Sequence, residues 1–182
     1  MIFKSKEVKL RDGRTVILRS ADKSDAENLI QYLRDTSAET PYLIREPDEV
    51  NITVENELHF INIKAEDPRE LMLIAECKGE HIGNCSIAGI GSYKRYRHRC
   101  DLAIALYQKY CGLGLGEIMM TEALKAAKQA GYEQAELEVV AENTRAVHLY
   151  EKMGFQKYGT FPDNMKYADG SYSDAYWMMK KL

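Results

Sequence analysis

The sequence predicts an α/β fold, one mixed central sheet of about six to seven strands flanked by about four helices. Three observations carry this: β-rich apolar runs recur along the chain, segments with 3.6-residue apolar spacing lie between them, and glycine-containing turn signals separate the two kinds. At 182 residues and 45% hydrophobic content there is material for one core, so residues 1–182 are read as a single domain.

Thr15 to Ala21 alternates and is β-rich, a strand. Ser24 to Ser37 opens on Ser and Asp, carries acids in its first turn and spaces Leu29, Ile30 and Leu33 as a helix does. A second helix runs from about Thr53 to Ala65, with Leu58, Phe60 and Ile61 as its apolar side. "LMLIAEC" and "HIGNCSIAGI" flank Lys78, Gly79 and Glu80 as a hairpin, and Arg99 to Tyr107 is a third strand of that group. Leu115 to Gly131 is an Ala- and Met-rich helix stopped by glycine, Ala135 to Val140 a strand, and Asn143 to Phe155 a short helix closed by Gly154. "DAYWMMKKL" ends the chain as a strand, after one further possible strand beginning at Phe155.

A net charge of -3 argues against general affinity for nucleic acid, and the one dense basic run, Tyr93 to Arg99, reads as a solvated loop or hairpin tip. No apolar stretch approaches the roughly 20 residues that span a bilayer, and the N-terminus lacks an apolar leader, so no membrane association and a cytoplasmic location are expected. Cys77, Cys85, Cys100 and Cys111 are scattered without metal-ligand spacing; they are expected reduced and mostly buried, with no metal site.

"YCGLGLGEIMMTEAL" places glycines at 112, 114 and 116 between a strand and a helix. Bare backbone at a helix N-terminus suits a phosphate, which the unpaired N–H groups and the dipole attract. Gly116 is followed by Glu117 and Ile118, not by the Lys and Ser or Thr of a Walker loop, and no G-x-G-x-x-G register closes on glycine. "CGLGLG" instead resembles the acetyl-CoA loop of the GNAT acetyltransferase superfamily, departing from it at Cys111, where the family has Gln or Arg. About thirty residues on, "ENTRAVHLYEKMGF" resembles the family's N-x-x-A-x-x-L-Y-x-x-x-G-F signature at Asn143, Ala146, Leu149, Tyr150, Gly154 and Phe155.

The resemblance implies a GNAT fold whose strands splay apart at the acetyl-CoA site. It assigns the pantetheine to main-chain groups of Ile104, Leu106 and Tyr107, and the pyrophosphate to Gly112, Leu113, Gly114, Leu115, Gly116 and Glu117. Asn143 caps the following helix or meets the cofactor. The implied activity is N-acetylation of a small-molecule or peptide amine by direct attack in a ternary complex, with acetyl-CoA as co-substrate; the alternative is a catalytically silent acetyl-CoA-binding sensor. Tyr150 is the implied acid: a tyrosine hydroxyl, with a pKa near 10, stays protonated and faces a leaving thiolate whose conjugate acid lies near 8.5. Candidate bases are Glu76, Asp101, Glu138 and His98, whereas His148 lies on another helix face from Tyr150. Glu39, Glu46, Asp163 and Asp169, in the segments that would meet an acceptor, suit a cationic amine. A homodimer through the C-terminal strand, with Tyr176 and Trp177, is expected.

Overall fold

In the computed structural model, which describes residues 1–182, the N-terminal half lays out an antiparallel sheet. Strands β1 (Lys6–Lys9), β2 (Thr15–Ser20), β3 (Leu71–Cys77), β4 (Glu80–Gly89) and β5 (Arg99–Leu106) lie in chain order. Helices α1 (Ala26–Glu39) and α2 (Val54–Glu66) are inserted between β2 and β3. The chain then crosses over through α3 (Leu115–Gln129) to β6 (Gln134–Val140), which joins β5 in the sheet's one parallel pairing, as a helical crossover requires. After α4 (Thr144–Lys152), β7 (Gln156–Lys166) and β8 (Tyr172–Lys181) complete the sheet in the order β1-β2-β3-β4-β5-β6-β8-β7.

Both faces are covered. The larger core joins α3 and α4 to one face through residues such as Met119, Met120, Leu124, Leu73, Ile82 and Cys85, while α1 and α2 pack on the other through Leu29, Ile61, Met72 and Ile74. Strand β3 is accordingly an almost unbroken buried apolar run, the pattern of a strand roofed on both sides. Polar side chains fix where helices begin. Thr53 accepts the N–H of Asn56 at the head of α2, and Asp22 and Asp25 form a capping box on the turn that leads into α1. The Asp25 carboxylate is also gripped by both terminal nitrogens of Arg19 at 2.7 and 2.8 Å, and Arg19 reaches Glu76 at 3.1 Å, which ties α1 to β2 and β3.

The sheet has eight strands, more than the six to seven read from sequence. The addition at the front is β1, whose "KEVK" carries a single apolar residue and so gives no strand signal. At the other end β8 is an interior strand, paired with β6 and β7. Its edge is therefore closed to a second copy, which removes strand pairing through Tyr176 and Trp177 as a dimer contact. Along α2 only Ile61 of the three apolar residues is fully buried, and Phe60 stays 44% exposed. Three cysteines are buried, Cys111 is half-buried, all four are free, and residues 93–97 form an exposed turn. No helix is long and apolar enough to cross a membrane.

Asp25→Ala would leave Arg19 with half its partners and the turn into α1 uncapped; a loss of roughly 2–3 kcal/mol is expected in urea unfolding.

Candidate functional site

Strands β5 and β6 are in register only from Arg99↔Gln134 to Asp101↔Glu136 and then part. The closed end is clasped by an ion pair between Arg99 and Glu136. Bonds from Tyr107 N to Ile82 O (3.2 Å) and from Ile90 N to Arg99 O fix the phase of the β4–β5 ladder, in which odd-numbered β5 residues spend their main chain on β4. The N–H and C=O groups of Ile104 and Leu106 consequently face the opening. Across it the same alternation, fixed by Ala141 N to Asp174 O at 2.9 Å, turns the main chain of Glu138 and Val140 inward. Tyr107 differs from its expected role. Its N–H is bonded to Ile82, its carbonyl accepts from Tyr110, and its hydroxyl donates to Asp35 at 2.9 Å, so its polar groups are committed to protein.

The glycine segment closes one end of this opening. Gly114, at φ +89°, is the residue before α3, and the first helical bond runs from Ile118 N to Gly114 O (3.1 Å). The N–H groups from Gly112 to Glu117 donate to no other protein group, a row of orphan donors at the positive end of the helix. Gly116 packs closely: a Cβ there would stand 3.1 Å from Leu149 Cδ2 and 3.6 Å from Leu106 Cδ1, where α3 meets α4 and β5. Cys111 brings no charge to the loop; its thiol faces the Tyr107 carbonyl at 3.7 Å. Cations come from elsewhere. Arg11 leans on Gly114, and Lys6 and Lys9 line the same cavity of about 400 Å³. Glu117 points its carboxylate at Lys152 (2.6 Å) and Arg11 (3.6 Å), and Lys152 holds it below the ordinary carboxyl range. Arg11 lies a hundred residues from the loop, and nothing in its local sequence marks it.

Tyr150 is 7% exposed on α4, its ring 6.1 Å from that of Phe155, and its hydroxyl bonds to no protein group. Burial pushes that hydroxyl well above its ordinary pKa, with smaller contributions from Cys85 on β4 and Asp101 on β5, the strand that bounds the opening. Asn143 is a helix cap: its Oδ1 accepts from Ala146 N at 3.3 Å. His148 stands exposed on α4, its Nδ1 2.7 Å from Thr144 O.

The four candidate bases separate. Glu76 is held by Arg19 at 3.1 Å. Glu138 accepts from Trp177 Nε1 at 2.8 Å and Asn164 Nδ2 at 2.9 Å, so it is bonded at both oxygens. His98 sits at the entrance of β5, where its carbonyl accepts from Glu133 and Gln134. Asp101 alone stands beside the point where the strands part with no bonded partner; although its side chain is exposed to the opening, the surrounding protein raises its carboxyl, first by desolvation and then through Glu136 and Glu138, with Lys64 acting against them. Of the acids read as acceptor contacts, the carboxylates of Glu39, Glu46 and Asp169 are spent locally. Glu39 takes the N–H of Gln108 (2.7 Å), Glu46 and Glu49 close a capping box, Asp169 caps Ser171, and Asp163, at φ +51°, donates its N–H to Asp174. What the sequence does not disclose is a cavity of about 440 Å³ under α1 and α2, floored by β3, β4 and β5, with Glu57 in its wall.

The "Acetyltransferase (GNAT) family" model matches residues 28–155. Among solved structures, an acetyltransferase of the GNAT family from Streptococcus pneumoniae shares 31% identity over 92% of this chain and 99% of that one, with a TM-score of 0.88. The L-amino acid N-acetyltransferase of Escherichia coli is 29% identical over 119 residues, 64% of this chain and 71% of the relative. The spermidine N(1)-acetyltransferase of Escherichia coli is 28% identical over 168 residues, 90% of this chain and 84% of the relative.

Gly114→Ala puts a Cβ into a left-handed backbone against Arg11; a loss of about 1 kcal/mol or more in denaturant unfolding is the expected result.

Proposed function

Because the chain belongs to the GNAT acetyltransferase family, we propose that it is an acetyl-CoA-dependent N-acetyltransferase, moving the acetyl group to a primary amine by direct attack within a ternary complex. The observation that carries this is the opening between β5 and β6, lined by main-chain groups of Ile104 and Leu106 and closed by the orphan N–H row of Gly112 to Glu117. Inside a sheet, unpaired backbone is costly, and a ligand with amides along one stretch and a pyrophosphate at its end satisfies both sets. Acetyl-CoA has that sequence of groups. Ile104 and Leu106 would hold its amides; Gly112, Leu113, Gly114, Leu115, Gly116 and Glu117 would hold its phosphates through N–H groups, with Arg11 supplying the cation that Cys111 does not.

The chemistry then divides between two side chains. Asp101 takes a proton from the acceptor's ammonium, and the free amine attacks the thioester carbon. As the carbon–sulfur bond breaks, the electron pair goes to sulfur and the nitrogen sheds its second proton. Tyr150, protonated throughout, donates a hydrogen bond to the departing thiolate; its raised pKa makes it a better holder of its own proton than a source of free acid, so the thiol's proton derives ultimately from the nitrogen.

Calorimetric titration with acetyl-CoA, followed by thiol release with a panel of primary amines, tests the reading. Binding and turnover with one amine class is expected; binding without turnover on any amine would favour the sensor. Tyr150→Phe should lower kcat by roughly 10²–10³, the worth of one hydrogen-bond donor to developing negative charge, with acetyl-CoA affinity retained. Asp101 is active when ionised, so kcat/KM should rise with pH through its elevated pKa, and Asp101→Asn should lower the rate and remove that acidic limb.

A further inference from the structure

Glu57 is buried to 4% exposure on α2, yet no lysine, arginine or hydrogen-bond donor of the protein engages its carboxylate. It lines the 440 Å³ cavity, whose other walls are largely apolar: Leu29 and Leu33 from α1, Phe60 from α2, Met72 from β3, Ala103 and Ala105 from β5. Burying an unpaired carboxylate is expensive, and desolvation raises Glu57 above its ordinary pKa. The charged groups that face it are few. Arg45, exposed on the connection between α1 and α2, is the one other charged residue in the lining and forms no ion pair; Lys64, farther along α2, is taken by Glu70 at 2.5 Å. A second orphan acceptor, the buried Oδ1 of Asn84 on β4, lines the same cavity opposite Ala105.

An unmatched carboxylate calls for a ligand that brings a cation, and apolar walls call for methylenes between its polar ends. We propose that this cavity is the acceptor pocket and that Glu57 selects an aliphatic diamine. The reacting amine lies at the β5 side, where Ala103 and Ile104 join the cavity to the strand opening; the methylenes lie on the apolar walls; the distal ammonium pairs with Glu57. The inference rests on the acetyltransferase reading and names its acceptor. It differs from the acids read from the sequence in that Glu57 opens on this cavity and is unspent, whereas those lie outside it.

The test compares cadaverine with pentylamine, which lacks the distal ammonium, and with norleucine, which replaces it by a carboxylate at the reacting end. In the parent protein kcat/KM should favour cadaverine over pentylamine by about tenfold or more, the worth of one charge-assisted hydrogen bond, through KM rather than kcat. Glu57→Gln should collapse that ratio toward one. Cadaverine alone should raise the parent's melting temperature, by more as pH climbs through the Glu57 titration, and should not raise that of Glu57→Gln. Without amine, Glu57→Gln should melt at or above the parent at neutral pH, because a buried charge has been removed, with the gain vanishing in acid where Glu57 is protonated anyway. A lower melting temperature for the variant, an unchanged ratio, or preference for norleucine that depends on Arg45 would each overturn the assignment. Failure of the parent to bind acetyl-CoA while cadaverine still shifts its melting would instead overturn the transferase reading and leave the diamine site standing.

Discussion

The parting of β5 from β6 is the constraint on which the rest of the molecule depends. Two parallel strands that separate inside a sheet leave main-chain donors and acceptors unpaired, and nothing local to those strands repairs this. The fold tolerates the opening because each strand is held on its far side: β5 by the long antiparallel ladder to β4, and β6 by β8. The Arg99–Glu136 clasp fixes where separation begins, and α3, seated close by Gly116, fixes where the opening ends. The second core, under α1 and α2, is small beside the first because much of that face is cavity.

Both faces of the sheet carry charge of both signs. On the α3 side Arg11, Lys6, Lys9 and Lys152 stand near the glycine segment together with Glu117 and Glu122, which pair with Arg11, Lys152 and Lys6; on the side of α1 and α2 lie Asp101, Glu136, Glu138 and Glu57, with Arg99 paired to Glu136 and Arg45 unpaired. Desolvation acts differently on the three groups that matter. It keeps Tyr150 protonated, brings Asp101 closer to the range where a base works at neutral pH, and makes Glu57 dependent on a partner for its charge.

Much of this was legible in the sequence, for identifiable reasons. The glycines at 112, 114 and 116 and the cap at Asn143 are backbone requirements, and backbone requirements show as residue types at fixed spacing. Alternation along Arg99 to Leu106 singles out Ile104 and Leu106, whose main-chain groups face the opening, whereas Tyr107 lies past the strand's end, where the chain has begun to turn and consumes its own polar groups. Arg11 and Glu57 were invisible because their significance comes from what tertiary packing sets beside them. The exposed acids mislead the other way: at Asp169 and Glu46 a loop carboxylate is a turn-former first, and its charge says little about a ligand.

Trp177 is the one tryptophan in the chain, 37% exposed on β8, stacked against Tyr158 and Phe161 and bonded through its indole to Glu138 beside the opening. All of the protein's indole emission thus arises from a single address on the wall of the candidate site. The chain carries its own optical probe there, responsive to the polarity and charge of whatever occupies the neighbouring face, without a label being added.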